Sequence, residues 1–375
     1  MIGRILGALG SLRVTVVGLF LLLVLTVWGT LYQVGHGLYL SQERFYQSWG
    51  FLIGDVVPFP GAQTVMAILI INLVASALNL AMKRTLRLGL VMTHLGLLLM
   101  LLAGAVTFYL GKSAHLSLLE GEGSNVAISF NEWEFALLPS SSGTNQQVSA
   151  LSASALKPGR TISLPGGRLA IRVEAYYRNC EAGRENVDSP PENASGFTML
   201  EPKPPHKEPA EDMPGLILTL LEDGQEKGRR LMWGGDRTPT MLPEGNTSRP
   251  ASLRYKQLPL PAVIELVDFS RELHPGSGIA KSYSSQVLIR SGKDLDRKVL
   301  ISMNKPLRLQ GFTFYQSSFS SDPGGREIST LAVVQNCGRL MPYIATGVTA
   351  AGMLLHFTGM LITRLRRRNP QEVPA

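Results

Sequence analysis

Two histidines lie inside long apolar runs, where an ionisable side chain is rare. His94 stands near the start of GLVMTHLGLLLMLLAGAVTF, residues 89–108, and His356 interrupts the apolar run of residues 340–363. An imidazole in such a place can ligate a metal or relay a proton, and it is by default a functional candidate. The structural alternative is a hydrogen bond to a polar side chain of a neighbouring helix, for which the sequence offers Asn72, Asn79 and Thr93.

The rise of about 1.5 Å per residue in an α-helix gives the distance of each histidine from the end of its apolar run. His94 comes six residues after Leu88, about 9 Å from that end of its run, and His356 comes eight residues before Arg364, about 12 Å from the corresponding end. A neutral imidazole in an apolar site suits iron ligation, because the charge of the metal is spread over a macrocycle. We favour a ligand role for His94, and for His356 we leave the ligand and structural roles open.

The chain has two cysteines, Cys180 and Cys337, and neither belongs to a Cys-x-x-Cys pattern. This excludes a thioredoxin-like dithiol site and a Cys-x-x-Cys-His haem attachment site, whereas a disulfide, free thiols and a redox role all stay open. The sequence also lacks Gly-x-Gly-x-x-Gly, phosphate-loop, His-Glu-x-x-His and Gly-x-Ser-x-Gly motifs. Nothing in it therefore indicates a hydrolase or a dehydrogenase.

The elements that must position the histidines are long uncharged runs, at residues 14–33, 61–82, 88–111 and 340–363. Each has about 20 residues or more, enough to cross a hydrocarbon core of about 30 Å. The first run exceeds the ~7–15 apolar residues of a cleaved signal peptide, so we expect it to stay as a helix. The sequence thus predicts four transmembrane helices.

Basic residues mark one side of the predicted membrane. Those at the two termini and between the second and third runs outnumber the acidic ones nine to one, the acid being Glu372; they are Arg4, Arg13, Lys83, Arg84, Arg87, Arg364, Arg366, Arg367 and Arg368. The positive-inside rule puts both termini in the cytoplasm. The net charge of +8 arises from these segments. It therefore reflects topology and not a nucleic-acid surface.

The remaining segments lie outside the cytoplasm in this topology. Residues 34–60 carry clustered aromatic side chains and are expected to be an interfacial, re-entrant or amphipathic segment. Residues 112–338 show period-two patterns such as RLAIRVEAYY, residues 168–177, and two strands around an Asp223-Gly224 turn in residues 215–233. Such short strands, punctuated by Gly and Pro, predict an antiparallel β-rich domain.

We therefore predict an α + β membrane protein with a large extracytoplasmic β-rich domain between its third and fourth transmembrane helices. The predicted domains are residues 1–111, residues 112–338 and residues 339–375. Within the second, residues 183–215 are rich in Pro and charge and are expected to be a mobile insertion.

Several stretches together resemble the ResB (CcsB) family, the four-helix subunit of system II cytochrome c biogenesis. They include SQERFYQSWGF, RLGLVMTHLGLLLMLLAGAVTF followed by LSLLEGE, LVDFSRELHPGSGIAKSYSSQVLI, and ISMNKPLRLQGFTFYQSSF. They occur in the family's order and span most of the chain apart from residues 183–215. The most specific is the pattern from Asn304 to Gln316, Asn-x-Pro-Leu-x-x-x-Gly-x-x-Phe-Tyr-Gln, which has Lys305 at its first variable place.

The resemblance implies a bacterial inner-membrane complex with a multi-span CcsA (ResC) partner that moves haem outward and attaches it to apocytochrome c. It implies haem b as a transient, non-covalent cofactor and His94 as an axial ligand of its iron. The second ligand is attributed to the partner, so that His356 receives no role from the resemblance. The chain has no Trp-Trp-Asp motif, its tryptophans being scattered, and is expected to be a non-catalytic or co-catalytic subunit of the holocytochrome c synthase.

A different class of function stays open beside this one. The chain can be a scaffolding membrane protein whose outer domain binds a secreted partner without a cofactor, with His94 forming only a packing hydrogen bond. A solute transporter is disfavoured, because paired repeats and broken helices are missing from the sequence.

Overall fold

The structure, a computed structural model, describes residues 2–82, 88–139, 148–165, 168–184, 193, 195–244, 247–276, 280–290 and 296–368. The chain divides into two compact units. The first comprises residues 1–112 and 335–375, and the second comprises residues 113–334. Lys83, Arg84, Arg87 and Glu372, used above for the orientation, lie outside the described residues, as do residues 185–192 and 194 of the predicted mobile insertion.

Helices form the first unit. Their bounds are α1, Ile2–Leu9; α2, Leu12–His36; α3, Leu38–Ser41; α4, Ala62–Met82; α5, Leu88–Leu110; and α6, Met341–Arg368. Within the described part of the chain, four spans are long and apolar enough to cross a membrane: 5–36, 62–80, 88–110 and 341–365. The predicted helical runs are confirmed, and the protein is a membrane protein with an α-helical membrane unit.

A polar clamp holds the break between α1 and α2. Asn72 of α4 is buried, and its Nδ2 donates hydrogen bonds to the carbonyls of Leu9 and Ser11, at 2.5 and 3.1 Å. Its Oδ1 accepts a bond from the Thr15 hydroxyl at 2.8 Å. Backbone carbonyls freed at a helix end in an apolar medium must find a donor, and this single amide supplies it.

The segment between α2 and α4, for which the sequence predicts an interfacial re-entrant or amphipathic segment, is folded and packed. After α3, one π-helical turn spans Gln42–Tyr46, and a hairpin pairs β1, Gly50–Ile53, with β2, Val57–Pro60. Aromatic rings of this segment and of α2 pack against one another; they are Trp28, Tyr32, Phe45, Tyr46, Phe51 and Phe59.

Helices α5 and α6 approach each other through small residues. A Cβ atom added to Gly96 would lie 2.7 Å from the backbone nitrogen of Thr349, and one added to Gly89 would lie 2.6 Å from the carbonyl oxygen of Gly352. Glycine thus permits backbone contact between the two helices, which is the usual way that helices associate in lipid.

The second unit is built of strands. They are β3, Lys112–Leu119; β4, Gly123–Leu137; β5, Ser149–Ser152; β6, Thr161–Ser163; β7, Leu169–Tyr177; β8, Cys180–Gly183; β9, Met199–Pro202; β10, Gly215–Glu222; β11, Gln225–Trp233; β12, Thr240–Glu244; β13, Thr247–Leu273; β14, Ala280–Arg290; β15, Arg297–Ser302; β16, Leu307–Leu309; β17, Phe312–Ser321; and β18, Glu327–Gln335. They lie between α5 and α6 in the chain, and the prediction of an antiparallel β-rich region is confirmed.

Two larger sheets organise the described strands of this unit. One has the order β15-β14-β13-β4-β3-β18-β17-β16, with β12 beside β13 and β5 beside β4; the other has the order β11-β10-β7-β6. The predicted hairpin turn is present, with Asp223 at φ 49° and Gly224 at φ 83°. Both residues have the positive φ that a two-residue type I′ turn requires, and glycine adopts it without steric cost.

Two apolar cores lie along the same pair of strands. One core contains Ala127 of β4 with Ile264 and Leu266 of β13, and the other contains Phe135 of β4 with Leu253 of β13. Strand β13 is 27 residues long and pairs with β4 along both cores. These two strands are therefore the common wall of the unit.

Candidate functional site

His94 lies on α5 with one ring nitrogen engaged and the other open. Its Nδ1 is 2.8 Å from the carbonyl oxygen of Leu90, one helical turn earlier. A carbonyl only accepts, so Nδ1 carries the proton and donates. In the neutral ring, Nε2 then bears the lone pair. Metal-ligating histidines are commonly held in this way, because the bond to the other nitrogen fixes the tautomer and the ring orientation.

Two of the three polar side chains that could have made His94 a packing residue, Asn72 and Thr93, are engaged elsewhere. Asn72 clamps the break between α1 and α2, and the Thr93 hydroxyl donates to the carbonyl of Gly89 at 2.9 Å. Among the described residues, no side chain forms a hydrogen bond with Nε2 of His94. The structure therefore leaves this nitrogen free to meet a ligand from outside the chain.

Each residue of an α-helix is rotated by about 100° about the helix axis relative to the one before it, and this gives the direction in which His94 points. Leu101, Ala105 and Phe108 lie within about 40° of it, whereas Gly89 and Gly96, which contact α6, lie about 140° or more away. His94 thus lies on the side of α5 that turns away from α6.

His356 occupies a different place. Its backbone nitrogen would lie 2.5 Å from a Cβ added to Gly89, so it belongs to the interface between α5 and α6. It lines a groove of about 750 Å³ together with Leu88, Gly89, Gly359 and Arg364. Because Gly89 and His94 point to different sides of α5, the structure does not bring the two histidines together as ligands of one iron.

A cavity of about 380 Å³ opens between α4 and α5. Its walls are almost entirely apolar, and Tyr46 and Trp49 of the folded segment before α4 reach its rim. The Tyr109 hydroxyl donates to Oε1 of Gln63 at 3.3 Å across this rim. No motif in the sequence marks this cavity, and the small residues at positions 67, 104 and 105, on two adjacent helices, are the one signal that could have indicated it.

The two cysteines are free thiols in different environments. Cys180 is buried in a small apolar cluster with Phe197, Leu200 and Leu231, whereas Cys337 is exposed. Burial raises the pKa of the Cys180 thiol to about 12, because the thiolate is disfavoured in an apolar environment. A thiol with so little thiolate at neutral pH is a poor nucleophile, so Cys180 has the character of a packing residue.

The pattern from Asn304 to Gln316 forms a hairpin and not a reactive site. Gln310 and Gly311 make its turn with φ of 44° and 86°, and Phe314 is fully buried. Nε2 of Gln316 donates to the buried hydroxyl of Ser329 at 3.0 Å. The fixed residue types of the pattern therefore serve turn geometry, core packing and a satisfied buried network.

Within the described residues, no group of three or more His, Cys, Asp and Glu side chains is arranged to hold a metal ion. The candidate site is thus a single imidazole on a membrane helix.

Comparison with known proteins agrees with the motif evidence. The model of the ResB-like family matches residues 228–352, which run from β11 into α6 and include the hairpin pattern from Asn304 to Gln316. His94 and His356 lie outside the matched range. No curated protein matches the chain significantly. The match covers a third of the chain, so the region from β11 into α6 is similar to the ResB-like family, in agreement with the motifs found in the sequence.

Proposed function

We propose that this protein is the haem-handling subunit of a system II cytochrome c synthase complex, with His94 as an axial ligand of haem iron. The similarity to the ResB-like family supports a role in cytochrome c biogenesis. The observation that carries the proposal is the open Nε2 of His94 on an apolar helix, with Nδ1 held by the Leu90 carbonyl.

Haem b is the cargo in this proposal and is held without a covalent bond. One imidazole binds the iron on one side of the macrocycle, and the partner, a CcsA (ResC)-type membrane protein with several spans, supplies the other axial ligand. The apolar surroundings of α5 exclude water from the iron. Because this chain has no Trp-Trp-Asp motif, attachment of haem to apocytochrome c falls to the partner, and this chain is a non-catalytic or co-catalytic subunit.

The proposed topology follows from the distribution of charge. Both termini lie in the cytoplasm of a bacterium, the spans cross the inner membrane, and the β-rich unit lies outside, where it guides apocytochrome c or braces the partner. The excess of basic residues near the helix ends supports this orientation.

The test is His94→Ala in the full chain, coexpressed with its multi-span partner. We expect haem to be lost from the purified complex and c-type cytochromes to disappear, and added imidazole to restore part of the haem. His36→Ala is the matched control, because Nδ1 of His36 approaches the carbonyl of Tyr32 one turn earlier in the same way, but at the exposed end of α2. His36→Ala should retain haem.

Two results would count against the ligand role. Unchanged haem content and absorption spectrum in His94→Ala would refute it directly. Full activity in His94→Asn would favour the scaffolding alternative, in which the side chain only packs and forms hydrogen bonds.

A further inference from the structure

The cavity between α4 and α5 exists because small residues stand where large ones would close it. Gly104 and Ala105 of α5 face Ala67 of α4. A Cβ atom added to Gly104 would meet no atom within 4 Å, in contrast to the crowded Gly96, which lies about 80° away around the same helix. The room here is therefore a local property of the face toward α4.

The cavity lies on the side of α5 that carries His94. Leu101, Ala105 and Phe108 line it, and each points within about 40° of the direction of His94. They lie between about 10 and 21 Å further along the helix axis. The cavity is thus next to His94 in the direction of Leu110, the end of α5 from which the chain passes into the β-rich unit.

The lining chemistry fits a large flat apolar ligand that contains iron. The cavity volume lies within the range of about 300–1,000 Å³ that is typical of small-molecule sites. Met66 of α4 and Met100 of α5 both line it, and a thioether is a ligand that haem iron accepts. The aromatic rings of Tyr46 and Trp49 stand at the rim.

From this arrangement we propose that the cavity is a second haem position, which haem occupies after His94 on its way along α5. The inference rests on the proposed function and adds to it a location within this chain and a direction of movement. His94 holds the iron first, and the apolar cavity between α4 and α5 receives the macrocycle next.

Gly104→Leu tests the inference by filling the cavity without a backbone clash. In the full chain with its partner, we expect haem to be retained at His94 with an unchanged spectrum, while the formation of c-type cytochromes is lost. Gly347→Leu on α6 is the matched control, since a Cβ there also meets nothing within 4 Å and the residue lines no described cavity. Normal cytochrome formation by Gly104→Leu, at normal protein levels, would overturn the inference.

A second experiment looks for a gain of binding. In a His94→Ala background, Met100→His should restore haem to the complex with a new absorption spectrum, because a histidine now waits in the cavity. Met353→His, on an exposed position of α6, should not restore it. Failure of Met100→His to recover haem, in a protein that accumulates normally, would show that haem does not enter the cavity and that lipid fills it.

The two proposals fail separately. If His94→Ala keeps its haem, the ligand role itself is wrong. If His94→Ala loses haem while Gly104→Leu makes cytochromes normally, the ligand role stands and only the second haem position is wrong.

Discussion

The residues that pack inside the helical unit differ in size from those that pack inside the β-rich unit. The buried positions of α5 are Gly89, Gly96 and Ala103, and two of the three buried positions of α2 are glycines. Many large side chains of the membrane helices point outward, as Leu354 of α6 does with 69% of its surface exposed, although Leu25 of α2 is buried. In the β-rich unit the buried residues are instead the large ones, among them Phe135 and Phe314.

The difference follows from the solvent around each unit, which is water for the β-rich unit and lipid for the membrane helices. In water, burying apolar surface is the dominant favourable term, so large apolar side chains collect inside. Lipid tails are as apolar as a leucine side chain, so moving a leucine from lipid into the helix interface brings no hydrophobic gain in free energy. Helices in lipid associate instead by close backbone packing at small residues. A substitution must therefore be judged by the unit in which it falls.

The largest effect is expected where a side chain is added to the helix interface. Gly96→Leu places atoms within 2.7 Å of the Thr349 backbone and must force α5 and α6 apart. We expect loss of folded protein, measured by accumulation in the membrane and by size-exclusion chromatography in detergent. Gly104→Leu, on the open face of the same helix, should accumulate normally. Equal accumulation of both variants would contradict the packing difference.

A smaller effect is expected where a side chain is removed from a core. Phe314→Ala leaves a cavity in the β-rich unit and should lower its free energy of unfolding by about 3–5 kcal/mol. Leu354→Ala removes an exposed side chain of α6 and should change stability by less than about 0.5 kcal/mol. Denaturant unfolding of the full chain in detergent measures both, and a comparable loss in the two variants would break the comparison.

A further effect, which is absent at neutral pH and grows in alkali, is a loss of stability confined to the β-rich unit. Burial raises the pKa values of Cys180 and Tyr176 to about 12, above the ordinary values of 9.0 and 10.0 that they regain on unfolding. The native state therefore holds these protons more tightly, so stability is full below about pH 9 and falls between about pH 9 and 12. Each group contributes at most about 1.4 kcal/mol per pH unit.

Cys180→Ala isolates the thiol contribution. The variant should lose less stability than the parent chain between pH 9 and 11, when unfolding is followed by tryptophan fluorescence at each pH. Parallel curves for the two proteins would show that the buried thiol does not contribute. In the same proteins, maleimide at pH 8 should label the exposed Cys337 and spare Cys180.

Patterns that repeat along the chain were predictable from the sequence. The uncharged runs give the membrane helices, and alternation with Asp223-Gly224 gives the β10–β11 hairpin. Proline is disfavoured inside a strand because it cannot donate to the ladder, yet Pro259 and Pro261 both lie within β13. The structure accommodates the prolines where the pairing of β13 with β4 shifts register, between Pro259 and Ile264.

Features that depend on contacts between distant parts of the chain could not be predicted from the sequence. The break between α1 and α2 depends on Asn72, more than fifty residues away from the carbonyls that it binds. Helical periodicity alone could have placed His94 and Gly96 on opposite sides of α5. It could not show that α6 fills one side, or that α4 leaves a cavity on the other.

Strands β4 and β13 run without interruption past both apolar cores of the outer unit. Because both apolar cores pack against these same two strands, neither core can unfold while the other stays intact. The unit should accordingly melt in one step, and the slowest-exchanging amides beside Leu253 and beside Ile264 should report one common opening energy.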